Sequence, residues 1–181
     1  MRRVLIVLVT VIAALGVNAQ ETEVSGSRKD IRHSGDVVSA LLPVAGVAAV
    51  LIQEDWRGLK QGVFSAATTF VATTLLKKVV DKRRPDHSDY DSFPSRHAAF
   101  AFATSVFIHR RYGWQWAIPC YAASAYISWT RVYGKKHDWW DVAAGAAIGA
   151  GSSLIYTTPL AKRSNLTLLP TGSGVYAAIS F

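Results

Sequence analysis

Five apolar stretches dominate the chain after its first 36 residues: 37–53, 59–80, 97–108, 112–130 and 142–161. The first, fourth and fifth carry no charged residue at all, and the charges collect in the gaps between stretches. Apolar runs this long read as helices rather than strands. The fifth holds Gly145 and Gly149, a spacing that lets two helix backbones approach closely. The expected fold is therefore all-α, a bundle of five to six helices, membrane-embedded, with a short irregular or β-like C-terminal tail.

A spanning helix needs about 20 residues, and several of the stretches are shorter. Two other features carry the membrane reading. Trp56, Trp114, Trp116, Trp139 and Trp140 fall near the ends of stretches, as aromatics at a membrane interface do. Arg110-Arg111 and Lys162-Arg163 follow the third and fifth stretches. If residue 36 lies outside the cytoplasm, counting spans puts both basic pairs inside, as the positive-inside rule requires. The same count brings the polar clusters 77–97 and 131–141 together on the outer face.

The N-terminus reads Met1-Arg2-Arg3, then an apolar run from Val4 to Val17, then Asn18-Ala19-Gln20. This pattern fits a secretory signal cut after Ala19, or a retained first membrane helix. The expected organisation is a signal or anchor at 1–19, a polar exported loop at 20–36, a helical domain at 37–161 and a tail at 162–181. The tail alternates leucines with Thr167, Pro170, Gly172 and Gly174, which reads as a short hairpin. The single cysteine, Cys120, excludes an internal disulfide and reads as a small buried hydrophobe.

With 181 residues, half of them hydrophobic, and a net charge of +8, the chain suits an anionic partner. Three polar clusters carry candidate chemistry. Lys77 is followed by Arg84-Pro85; then come Ser92-Phe93-Pro94-Ser95-Arg96-His97; then Arg131, His137 and Asp141. If a helix opens at His137, Asp141 shares its face one turn on. It could then accept a proton from one imidazole nitrogen and leave the other free to attack. Arg131 offers a planar fork for a tetrahedral oxyanion. Ser95 is a natural helix cap, and amides at a helix start bind anions.

In order, the clusters are Lys-x6-Arg-Pro, Pro-Ser-x-His and Arg-x5-His-x3-Asp. The chain thereby resembles the type 2 phosphatidic acid phosphatase superfamily, which also holds bacterial class A acid phosphatases and vanadium haloperoxidases. Two positions depart from that pattern: Arg96 stands where the family usually has Gly, and Thr130 where it usually has Ser. The resemblance implies that His137 is the nucleophile, Asp141 its orienter and His97 the general acid. It implies phosphate binding by Lys77, Arg84, Arg131, Ser95 and the backbone amide of Arg96. No cofactor is expected, and no cluster of carboxylates and histidines stands at metal-ligand spacing. Lys78, Lys82, Arg83, Lys135 and Lys136 read as solvated or headgroup-facing charges, and His33, His87 and His109 as surface histidines.

The expected activity is hydrolysis of a lipid phosphate monoester or diphosphate through a phosphohistidine. The partners are a phosphorylated lipid and the membrane, not nucleic acid, with the site on the periplasmic face of a bacterial inner membrane. A soluble periplasmic acid phosphatase and a non-catalytic basic anion-binding membrane protein are the alternatives. The haloperoxidases carry added elements for which the chain is short. Phosphatidate, phosphatidylglycerophosphate, undecaprenyl diphosphate and phosphorylated lipid A present similar anions.

Overall fold

The computed structural model describes residues 26–160, together with the backbone of residues 165–171 and 174–180. Five helices follow one another: α1 Ser27–Ile52, α2 Trp56–Val79, α3 Arg96–Tyr112, α4 Trp114–Tyr133 and α5 Trp139–Tyr156. The class is all-α, as expected. The tail pairs β1 Asn165–Thr171 antiparallel with β2 Gly174–Ser180, with Thr171 opposite Gly174. The signal-or-anchor reading of residues 1–19 and the pair Lys162-Arg163 fall outside the described residues.

One expected boundary is corrected. The polar loop drawn at 20–36 does not extend through Ser27, because α1 starts there rather than at Val37. Tertiary partners on α4 hold this polar turn helical. The Arg28 guanidinium lies 5.5 Å from the centroid of Tyr133, and Ser34 Oγ lies 2.7 Å from Tyr126 Oη. Apolar periodicity could not reveal an extension stabilised by polar contacts.

Helix α3 is central and packs against all four other helices. Its tightest neighbour is α5. A Cβ placed on Gly149 would stand 1.9 Å from the Ala99 carbonyl oxygen, and one on Gly145 would stand 2.3 Å from that of Ser95. The two glycines thus permit backbone-to-backbone contact, as their spacing foretold. Hydroxyls tie the helices elsewhere. Ser153 Oγ donates to the Ala103 carbonyl at 2.6 Å and accepts from Ser65 Oγ at 2.6 Å. Cys120 is half-buried and packs against both apolar clusters of the core.

The two ends of the bundle differ. At the end away from the polar clusters, Arg111 grips Asp55 through Nε at 2.6 Å and Nη2 at 2.5 Å, and Nη1 donates to the Thr158 carbonyl at 2.8 Å. Arg111 is therefore buried, not solvated beside Arg110. Its guanidinium ties the α1–α2 turn to the chain leaving α5. The flanks carry many exposed apolar side chains, among them Leu41, Phe64, Leu75, Ile118 and Ile155. Exposed tryptophans gather at both ends: Trp56, Trp114 and Trp116 at one, Trp139 and Trp140 at the other.

Candidate active site

The loop between α2 and α3 folds over the loop between α4 and α5. Asp86 N donates to the Lys135 carbonyl, and Ser95 N to that of Asp141, both at 2.9 Å. These bonds bring the three polar clusters to one end of the bundle.

Local rules explain how α5 begins. Asp138 is its N-cap, accepting from Trp140 N at 2.9 Å and Asp141 N at 3.0 Å. Asp141 returns the bond from Asp138 N at 3.0 Å and completes a capping box. The helix therefore opens at Trp139 rather than at His137. His137 stands just ahead of the cap, where its ring can turn into the site.

His137 is buried, 5% exposed. Its Nδ1 lies 2.7 Å from the Ser92 carbonyl oxygen. A carbonyl oxygen can only accept, so Nδ1 carries the proton and Nε2 holds a lone pair. The Asp141 carboxylate is farther from Nδ1, at 3.7 Å. The sequence reading assigned orientation of the ring to Asp141 alone; here the Ser92 carbonyl makes the direct bond. Asp141 acts one step back: it is fully buried and accepts from Ser92 Oγ at 2.5 Å and from Lys82 Nζ at 2.8 Å. Burial pushes the His137 pKa down from 6.5 to about 4, and the charges of Lys77 and Arg84 push the same way against Asp141. The ring is neutral at physiological pH.

His97, in the first turn of α3, faces a residue the motif did not contain. Asp36 of α1 has Oδ1 3.2 Å from His97 Nε2 and 2.7 Å from Arg131 Nη1. Arg131 is buried, 3% exposed, and also donates through Nη2 to the Arg32 carbonyl at 2.7 Å. The approach of α1 that delivers Asp36 depends on its neighbour: a Cβ on Gly35 would meet Thr130 Oγ1 at 2.0 Å. The buried Thr130 hydroxyl meanwhile donates to the Ile127 carbonyl at 2.7 Å.

The remaining candidates surround these two histidines. Arg84 holds Asp89 at 2.6 Å, and its charge acts on Lys77, His97, Arg131 and His137 alike. Lys77 Nζ donates to the Asp91 carbonyl. Ser95 caps α3, accepting from Ala98 N at 3.4 Å. The Arg96 side chain turns toward α2, with its guanidinium 5.5 Å from the Phe70 centroid. Among the described residues, no group of three or more His, Cys, Asp and Glu side chains is placed to hold a metal.

Two lysines read as solvated charges are structural. Lys136 is buried and pairs with Asp86 at 2.7 Å. Burial opposes ionisation of Asp86, but the Lys136 ammonium and the Ser88 donors outweigh it and lower its pKa. Lys82 bridges Asp138 at 2.6 Å and Asp141 at 2.8 Å. Partial burial works against its charge, but the two carboxylates prevail and raise its pKa. Lys78, Arg83, Lys135, His33, His87 and His109 are exposed.

Residues 58–164 match the PAP2 superfamily, a span that includes all eight sequence-derived candidates.

The chain belongs to the PAP2 superfamily.

It is a phosphatase of that family. Over 139 residues it is 30% identical to a lipid A 4'-phosphatase of Helicobacter pylori, spanning 71% of this chain and 70% of that one. Over 102 residues it is 31% identical to a lipid A 1-phosphatase of Porphyromonas gingivalis, spanning 50% of this chain and 23% of that one. Its fold resembles the crystal structure of Aquifex aeolicus LpxE, with a TM-score of 0.63, 17% identity and coverage of 82% and 93%. It also resembles a transmembrane PAP2-type phosphatidylglycerolphosphate phosphatase from Bacillus subtilis, with a TM-score of 0.56, 19% identity and coverage of 85% and 92%. Asp36 lies ahead of the PAP2 match, in α1. A carboxylate at the edge of an apolar helix was the available signal for it. The pairing of Ser92 with Asp141 had no signal beyond proximity to the motif.

Proposed function

We propose that this phosphatase hydrolyses a phosphate monoester or diphosphate on a lipid, through a phosphohistidine on His137. The observation that carries the reading is the bond from Nδ1 of His137 to the Ser92 carbonyl. It fixes a neutral tautomer with Nε2 as the nucleophile. In the first step Nε2 attacks phosphorus as the phosphorus–oxygen bond to the leaving group breaks, and His97 gives its proton to the departing oxygen. In the second step His97 takes a proton from water, which attacks phosphorus and breaks the phosphorus–nitrogen bond. Inorganic phosphate leaves and His137 returns to neutral.

Lys77, Arg84 and Arg131, with the start of α3 at Ser95 and Arg96, stabilise the equatorial oxygens. Phosphoryl transfer depends mainly on such positioning and charge. Asp36 orients His97 and Arg131 together. Asp141 orients Ser92 and stabilises the imidazolium that forms on attack. No step calls for a metal.

The lipid reading draws support from the relatives named above and from the apolar flanks. Helix α1 is long and apolar enough to cross a membrane. The exposed tryptophans at the two ends stand as interface residues would. We place the site on the periplasmic face of the inner membrane, with Arg110 at the cytoplasmic side. The test is phosphate release by detergent-purified protein from lipid monophosphates and diphosphates in the presence of EDTA. Release is expected from at least one lipid. Hydrolysis confined to water-soluble esters, by protein found in the soluble fraction, would favour a periplasmic acid phosphatase instead.

A further inference from the structure

An apolar cavity of about 340 Å³ lies between α1, α2 and α3, within the size range of small-molecule sites. Pro43, Val47, Val63, Ala66, Phe70 and Phe100 form part of its wall. The three helices that build it also build the polar site. Helix α1 carries Asp36 and then Pro43; α2 carries Phe70 and then Lys77; α3 carries His97 and then Phe100. At 1.5 Å per residue, Phe70 stands about 10 Å along α2 from Lys77, and the wall continues to Gly58, about 18 Å further. The cavity thus starts below the phosphate-binding cations and runs toward the opposite end of the bundle. Phe70 and Val63 are both partly exposed, at 38% and 45%, so its side opens on the outer surface.

Arg96 stands at the join. Its guanidinium lies over Phe70, the ring that lines the cavity. Its charge also acts on Lys77. Its buried Nε has no hydrogen-bond partner among the described residues. A guanidinium lying over a ring retains N–H donors for oxygen acceptors.

We propose that this cavity binds one acyl chain of the phosphorylated lipid, and that Arg96, lying over Phe70, grips the oxygen-bearing linker between chain and phosphate. The inference rests on the lipid-phosphatase reading and adds which part of the lipid is recognised. It also assigns a task to the cation that replaces the family's usual glycine.

The test uses the full-length protein and lysophosphatidates from hexanoyl to stearoyl. For the wild type, KM should fall by up to about fourfold per added methylene until the cavity is filled. Ala66→Phe, which fills the cavity, should flatten that slope. Arg96→Gly should raise KM for the acylated esters about tenfold more than for glycerol phosphate. A flat slope in the wild type, or an unchanged slope in Ala66→Phe, overturns the proposal. A second readout does not need turnover or a variant. A lysophosphatidate with a photoreactive diazirine at its chain end should label peptides from α2 and α3 that line the cavity. Label spread over the outer faces of α4 and α5 would assign the apolar surface to bulk lipid and overturn the proposal. If the wild type releases phosphate from no ester, the phosphatase reading fails, and the labelling map still decides the cavity.

Discussion

Asp36→Asn should impair catalysis more than any other change outside the signature residues. The substitution keeps the shape and removes the charge. One oxygen of the Asp36 carboxylate now serves two partners, Arg131 Nη1 at 2.7 Å and His97 Nε2 at 3.2 Å. A hydrogen bond to a charged group contributes about 1.5–3 kcal/mol and a neutral one about 0.5–1.5. Losing the charge at two contacts therefore costs about 2–3 kcal/mol. If most of this is expressed in the transition state, kcat/KM drops by about 30- to 150-fold. The pH profile provides a second reading. The carboxylate favours protonated His97, the form that donates to the leaving group, so the alkaline limb should move to lower pH in the variant. The assay is kcat/KM against pH on a lipid phosphate, with the folded fraction followed by gel filtration. A purely structural role would reduce the folded fraction and leave the limb in place. A variant within twofold of wild type, with the same limb, refutes the reasoning.

His97→Ala should depend on the leaving group. It should lose about 10²–10⁴-fold on an alkyl phosphate and much less on p-nitrophenyl phosphate, whose phenolate departs without a proton; equal losses on both would contradict the general-acid role. Gly149→Leu should destabilise the bundle by about 3 kcal/mol or more, because its Cβ would fall 1.9 Å from the Ala99 carbonyl; thermal unfolding at an unchanged Tm would show that α3 and α5 can part freely. His137, with its pKa near 4, should keep the acid side of kcat/KM flat down to about that pH. Its folded pKa lies below the unfolded value of 6.5, so the unfolded chain binds the proton first. The stability His137 contributes is thus present above pH 6.5 and lost as pH falls toward 4. An acid limb near 6.5 would mean that the imidazole is not buried as described.

The bundle was legible because its helices are set by long apolar runs and by caps written into the chain. Gly145 and Gly149 announced the α3–α5 contact, and Asp138 and Asp141 form a capping box that starts α5. The signature also brought His97, His137 and Arg131 to one end of the bundle, as span counting required. What escaped was everything fixed by partners distant in sequence. Asp36 looked like the last residue of a polar loop, since nothing local ties it to Arg131 or His97. Lys136 looked solvated because its partner, Asp86, lies in another loop. Ser92 orients His137 through its carbonyl, and a main-chain oxygen leaves no trace in residue types. The motif spoke only for the backbone amide of Arg96; its side chain is placed by Phe70 on α2, again a partner distant in sequence.

The central claim is that phosphorus becomes bonded to His137, and covalent trapping tests it most directly. Protein mixed with substrate labelled in the transferred phosphoryl group would be denatured in alkali, where a phosphohistidine survives, and mapped by peptide. The wild type should carry label on the peptide holding His137, and the label should be released by acid. Asp141→Asn should carry less, and His137→Ala none. Label retained by His137→Ala, or found on another residue of the wild type, would contradict the account.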